Sequence, residues 1–190
     1  MMHIITGTAR GVKLETLAGE MTRPTSERAK EAIFSMLQFE LEGRRVLDLF
    51  SGSGQMGLEA LSRGAAEAVL VDRAREACAV ISRNAKKTKL EQKCGILQVD
   101  AVRYLEGATA PFHLVFLDPP YRAGLLPQVL RLLLDRELLS SNATVVAECG
   151  DPADLFGDDE ALAAGYEIQK TKRYGIAHVF FLTPARKENV

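Results

Sequence analysis

Cysteine is scarce in this sequence of 190 residues, and its three examples, Cys78, Cys94 and Cys149, are odd in number and widely spaced. With no CxxC pair and no histidine at ligand spacing, neither a disulfide framework nor a zinc site is expected, no metal is expected, and a reducing cytoplasm is the natural setting. Histidine is equally sparse: His3, His113 and His178 stand apart and read as structural or surface residues. No apolar run approaches the length of a membrane span, and Met1-Met2-His3-Ile4-Ile5-Thr6-Gly7 has no apolar signal core, so a soluble protein without membrane contact is expected. An excess of charge is also lacking. With 24 basic and 25 acidic side chains the net charge is −1, so any nucleic-acid surface has to be a local patch. Internal repeats, low-complexity tracts and an obvious linker are absent.

What is present is ordinary for a globular chain. Hydrophobic residues make up 47% and charged residues 26%, which excludes a disordered or fibrous class. The length suits one domain with a small extension, and it suffices for a sheet covered by helices on both faces.

The stretch that organises the rest is Val46-Leu47-Asp48-Leu49-Phe50-Ser51-Gly52-Ser53-Gly54-Gln55-Met56-Gly57. A buried strand, a glycine turn and a helix start bring bare backbone N–H groups up to a ligand. Gly52-x-Gly54-x-x-Gly57 fits the dinucleotide fingerprint, with Asp72 where an acid would take the ribose hydroxyls of NAD. Asp48 argues for a different ligand. An acid inside the strand is useful where the ligand carries an ammonium group, as the methionine end of S-adenosyl-L-methionine does. The bland alternative is that the glycines only let helix and strand pack closely.

Along the chain, residues 3–17 alternate apolar and polar around Gly7 and Gly11, which predicts a short hairpin with Arg10 and Lys13 at its turn. Pro24 predicts an extended approach, and Thr25 or Ser26 a cap for a helix whose apolar stripe is Ala29, Ala32, Ile33, Met36 and Leu37. Lys30 reads as part of that helix's solvated face; Arg23 and Arg28 flank its start and are placed to hold an anion or carboxylate. A helix from Gly57 is expected to end in a left-handed cap at Gly64. Ala68–Asp72 is a second strand, followed by a helix with Arg73, Arg75, Arg83, Lys86, Lys87 and Lys89, which is either a phosphate-binding face or a solvated one.

Ile96–Val99 is a third strand ending at Asp100, which either caps the next helix or meets the exocyclic amine of adenine, or does both. Phe112–Leu117 is the fourth strand and ends in Asp118-Pro119-Pro120-Tyr121. An apolar helix over 125–139, a strand over 144–149, an acidic helical stretch over 152–164 and a terminal hairpin over 166–183 complete the pattern. This alternation predicts an α/β fold, a doubly wound Rossmann-like and mostly parallel seven-stranded sheet with an antiparallel C-terminal hairpin. Residues 1–40 read as an N-terminal extension and 41–190 as the core. In such a sheet strand one adjoins strand four across the switch point.

The chemistry of Asp118-Pro119-Pro120-Tyr121 is specific. The amine of a nucleobase is a poor nucleophile because its lone pair is delocalised into the ring. A carboxylate at Asp118 and the carbonyl of Pro119 can accept its two hydrogens and localise that pair, the prolines fix the carbonyl's direction, and Tyr121 offers a face for stacking. The bland alternative is a strand end and a helix cap.

With Asp48 and the glycine loop, this motif resembles the amino-methyltransferases that use S-adenosylmethionine to modify adenine N6, cytosine N4 or guanine N2. More narrowly, Gly7-x-x-Arg10-Gly11-x-x-Leu14, Arg23-Pro24-Thr25-x-x-Arg28 and the run from Gly52 to Ala65 resemble the bacterial 16S ribosomal RNA guanine-N2 methyltransferase family, the RsmD-like enzymes. The resemblance covers nearly the whole chain. It implies that Asp48, Gly52, Ser53 and Gly54 belong to the cofactor site, that Asp72 takes the ribose, and that Asp100 with Ala101 takes the adenine. It implies that Asp118, Pro119, Pro120 and Tyr121 receive the target guanine while Arg23, Pro24 and Thr25 lie over the site. Arg10, Lys13 and Arg28 are expected to join them in holding RNA. Gln55-Met56 and Asp72 depart from the smaller residues and the glutamate common in that family. The implied enzyme is a cytoplasmic monomer acting on 16S ribosomal RNA or the small-subunit particle. The alternatives are a DNA adenine-N6 methyltransferase, an NAD-dependent oxidoreductase and a non-catalytic RNA-binding assembly factor.

Overall fold

The computed structural model of the chain describes residues 2–17, 24–120 and 124–186, with 24–26 described by their backbone alone. Its elements are α1 (Pro24–Met36), β1 (Arg45–Asp48), α2 (Gln55–Ser62), β2 (Glu67–Asp72), α3 (Arg75–Thr88), β3 (Cys94–Gln98), α4 (Ala101–Gly107), β4 (Phe112–Leu117), α5 (Leu126–Asp135), β5 (Leu139–Cys149), α6 (Glu160–Ala164), β6 (Tyr166–Tyr174) and β7 (Ala177–Pro184). The strands form one seven-stranded sheet in the order β3-β2-β1-β4-β5-β7-β6. The chain divides into two compact units, residues 1–100 and 101–190.

In the first unit β1, β2 and β3 run parallel, with Asp48 opposite Leu70 and Asp72 opposite Gln98. The apolar residues of β1 and β2 are withdrawn from solvent, Val46, Leu47, Leu70 and Val71 fully so, whereas the edge strand β3 leaves Leu97 exposed. Helix α3 presents Ala77, Val80, Ile81 and Ala85 inward, while Arg75, Lys86, Lys87 and the flanking Arg73 and Lys89 stay exposed. The glycine after α2 is Gly64 at φ +108°, as its position after Arg63 predicts.

The expected hairpin over 3–17 is a looser object. Ile4 N–H donates to Val12 O at 3.0 Å, Leu14 N–H to Met2 O at 3.0 Å and Gly11 N–H to Ile4 O at 2.8 Å. His3 and Lys13 form a single isolated antiparallel bridge. The segment stops short of two strands because part of its backbone bonds to α2 instead: Thr8 N–H meets Ser62 O at 2.8 Å. Gly7 makes this approach possible. Its φ is +90°, and a Cβ there would lie 1.8 Å from Ser62 O, so any side chain would push the arm off the helix.

Helix α1 corrects the reading of Pro24. Proline is the first helical residue and Thr25 and Ser26 lie inside the first turn. At that position the missing N–H is one no helix could use and the fixed φ is already helical.

In the second unit β4 and β5 are parallel, β7 runs antiparallel to β5, and β6 pairs with β7 through a two-residue turn containing Gly175 at φ +63°. The apolar helix ends earlier than expected, at Asp135, and β5 starts earlier, at Leu139. Glu137, at φ +52°, breaks the helix, and Phe112 pairs with Leu139 ahead of a register shift. The acidic stretch holds only a 3-10 turn at Pro152–Asp154 and the short α6, capped by Asp159, whose carboxylate accepts from Leu162 N–H at 3.0 Å. No described helix is long and apolar enough to cross a membrane.

Candidate active site

The carboxyl ends of three neighbouring strands in the first unit carry the acids that the sequence singled out. Asp48 closes β1 and Asp72 closes β2, while Asp100 stands two residues beyond β3, exposed and directly before α4. Parallel register aligns these ends, and Val99 N–H bonds Asp72 O at 3.2 Å.

Between β1 and α2 the backbone turns through two left-handed glycines, Gly52 at φ +52° and Gly54 at φ +79°. The loop is tied down by the two acids beside it. Asp72 accepts from Gly52 N–H at 2.9 Å through Oδ2 and from Ala74 N–H at 2.8 Å through Oδ1. Asp48 accepts from Gly57 N–H at 2.9 Å, and Ser51 Oγ donates to Asp48 O at 2.6 Å. Each carboxylate has lone pairs left over, so Asp72 can still receive a pair of ribose hydroxyls while it holds the loop.

Packing supplies part of the reason for the glycines. A Cβ on Gly54 would meet Leu70 at 3.0 Å and Ile81 at 3.1 Å, and one on Gly57 would meet Leu70 at 2.8 Å. Close helix–strand packing and the ligand cradle are therefore the same local geometry. Ser53 is the exception among the expected cofactor residues. Its hydroxyl is buried and donates to Met2 Sδ at 3.3 Å, so only its backbone faces the loop.

Asp48 is only 4% exposed. Burial raises its pKa, the Gly57 amide opposes the rise and the nearby Asp72 charge adds to it, leaving it at about 7. A cationic group brought to the loop would favour the ionised form. The residues thus fit S-adenosylmethionine: a cradle of backbone, an acid for an ammonium, an acid for a ribose and Asp100 beyond. Burial, with the Asp48 charge second, pushes the Cys94 thiol up to about 12, which disfavours the thiolate there. Among the described residues no group of His, Cys, Asp and Glu could hold a metal ion.

In the second unit Asp118 is exposed at the end of β4, Pro119 is buried and Pro120 is exposed. Both prolines line a cleft with Leu125, Leu126, Glu148 and Asp154. Tyr121 and Arg23 lie outside the described residues, as do the side chains of Pro24 and Thr25. Arg10, Lys13 and Arg28 are exposed. Among the described residues the side chains of Arg10 and Lys13 have no polar partner.

Sequence reasoning missed the residues that hold the N-terminal arm. Lys30, read as solvated, is 3% exposed and Glu59 is fully buried. Glu59 accepts from Ile5 N–H at 2.8 Å and Thr6 N–H at 3.0 Å. It also pairs with Lys30 at 3.1 Å and Arg63 at 2.7 Å. Lys30 completes the clasp by donating to His3 O at 3.0 Å. The available signal was an acid in the middle of Leu58-Glu59-Ala60-Leu61, where every neighbour is apolar.

Known proteins share this chain's sequence and geometry. The family described as Conserved hypothetical protein 95 matches residues 2–183. Ribosomal RNA small subunit methyltransferase D of Escherichia coli (strain K12) is 36% identical over 150 residues, covering 77% of this chain and 74% of that protein. The enzyme of the same name from Haemophilus influenzae is 34% identical over 154 residues, covering 77% and 78%. The solved structure of the Escherichia coli protein yhhF superposes with a TM-score of 0.85 at 30% identity, covering 98% of this chain and 99% of that one. The structure of SMU.776, solved in complex with SAH, is 18% identical with a TM-score of 0.66 and covers 79% of this chain and 49% of that one, a likeness of fold. The chain belongs to the Conserved hypothetical protein 95 family, the RsmD family of methyltransferases.

Proposed function

We propose that this protein methylates the exocyclic N2 of a guanine in small-subunit ribosomal RNA, using S-adenosylmethionine. Ribosomal RNA methylation rests on its relatives, among them those of Escherichia coli and Haemophilus influenzae named ribosomal RNA small subunit methyltransferase D. The observation that carries the cofactor is the loop held between Asp48 and Asp72. The choice of guanine N2 rests on the resemblance to the RsmD-like enzymes together with Asp118-Pro119-Pro120 at the end of β4.

The cofactor supplies an electrophilic methyl group on a sulfonium. The chain's own residues do the rest. Asp48 faces the ammonium end, Asp72 the ribose, and Asp100 with Ala101 the adenine. Asp118 and the Pro119 carbonyl accept the two amine hydrogens, which localises the nitrogen lone pair for attack on the methyl group that the bound sulfonium would supply, with the thioether as the leaving group. One amine proton then leaves through Asp118. Tyr121 stacks on the base. Residues 1–40, with Arg10, Lys13, the Arg23–Thr25 segment and Arg28, form the RNA side, holding a splayed loop by phosphate contacts.

Parallel incubations with methyl-labelled S-adenosylmethionine and either unmodified small-subunit RNA or particles or unmethylated DNA, followed by digestion to nucleosides, test the reading. N2-methylguanine is expected. N6-methyladenine from DNA, with no methylated RNA nucleoside, would move the protein to the DNA alternative.

A further inference from the structure

Asn84, in α3, belongs to neither the glycine loop nor the N-terminal arm, yet it bonds to both. Its side chain is fully buried. Oδ1 accepts from Glu15 N–H at 2.8 Å, and Nδ2 donates to Glu15 O at 3.0 Å and to Ser53 O at 2.9 Å. Both amide hydrogens are thereby used, one on the arm and one on the loop. The planar amide cannot follow a movement of the Ser53 carbonyl without disturbing its pair of bonds to Glu15. Ser53 is tied to the arm a second time, through the Oγ–Met2 Sδ contact at 3.3 Å. The next residue, Gly54, holds the left-handed turn of the cofactor loop, and its N–H bonds Ser51 O at 2.7 Å. The arm therefore reads the conformation of the loop at its two ends, Met2 and Glu15.

We propose that Asn84 is a positioning residue that couples cofactor occupancy of the loop to the setting of the N-terminal arm, so that the cofactor-loaded protein presents Arg10 and Lys13 to RNA in a fixed arrangement. This rests on the reading that the loop holds S-adenosylmethionine and the arm meets RNA. The coupling is reciprocal: RNA must tighten cofactor binding by the same factor.

The test is equilibrium binding of unmodified small-subunit ribosomal RNA to the full chain, with and without saturating S-adenosylhomocysteine. The wild type is expected to bind RNA about fivefold or more tightly when loaded. Asn84→Asp replaces both donors with an acceptor facing two carbonyls, and Glu15→Pro removes the N–H that Asn84 accepts from. Both should reduce the factor below about twofold while still binding S-adenosylhomocysteine. A merely structural asparagine would lower the melting temperature and leave the factor unchanged, which would overturn the proposal. If the variants do not fold, hydrogen exchange of the wild type decides. S-adenosylhomocysteine is expected to slow exchange over residues 4–15 as well as 52–57. Protection of 52–57 alone would overturn the coupling, whereas no protection of 52–57 would overturn the cofactor reading and the coupling with it.

Discussion

Asp48 is near its titration midpoint at neutral pH, because burial, with the Asp72 charge behind it, lifts its pKa to about 7 against the pull of the Gly57 amide. From the ordinary value of 3.8 up to about 7, the folded protein binds more protons here than the unfolded chain. Stability from this group is therefore fully present below about pH 4 and is lost as pH rises to 7, falling by about 1.4 kcal/mol for each pH step of one across that window. Asp48→Asn cannot ionise, so its unfolding free energy relative to wild type should rise between pH 5 and pH 8 in urea titrations of the cofactor-free protein. A constant difference would contradict the assignment. Cofactor binding should show the opposite dependence. An ammonium group selects the ionised carboxylate, so affinity should increase from pH 6 to pH 8 with proton release, measured by calorimetry in buffers of different ionisation enthalpy. At Asp72, replacement by Ala removes a charge-assisted acceptor and its hold on Gly52, and should weaken cofactor binding by about 1.5–3 kcal/mol on the same instrument.

The N-terminal arm and α2 stand or fall together. Glu59 neutralises the buried Lys30 and the partly buried Arg63 and receives two arm amides, so Glu59→Ala would strand both cations and leave Ile5 and Thr6 N–H without that acceptor. Its loss should cost about 3–5 kcal/mol by chemical denaturation, far beyond what a surface pair is worth. An effect below about 1 kcal/mol would mean that the clasp does not hold the arm. This element was the hardest to read from sequence. A lysine on the polar side of α1 carries no local sign of burial, because what buries Lys30 is an arm that returns from 27 residues away to offer His3 O. Asn84 was hidden for the same reason, since its bonds reach 69 residues back to Glu15 and 31 back to Ser53. By contrast, the glycine loop was legible because its requirement is local: the left-handed turns and the backbone donors all lie between Gly52 and Gly57.

For the whole molecule, strand–helix alternation was enough to establish the mixed seven-stranded sheet and its antiparallel end, and the strand Phe112–Leu117 was bounded correctly between Pro111 and Asp118. The stretch from Leu125 to Leu139 was misread because a continuous apolar run does not distinguish a buried helix from the start of a buried strand. Net charge of −1 places the burden of RNA binding on local cations. Neutralising Arg10 and Lys13 together should weaken RNA binding and lower the slope of log affinity against log salt by about 1.4–1.8, with cofactor affinity unchanged. The proposed function turns on methyl transfer to a nucleobase amine at Asp118, and single-turnover methylation of unmodified small-subunit particles by wild type and Asp118→Ala puts that step to the test. With both proteins saturated by S-adenosylmethionine, the variant is expected to react about a hundredfold or more slowly. Equal rates would show that the transfer does not depend on Asp118.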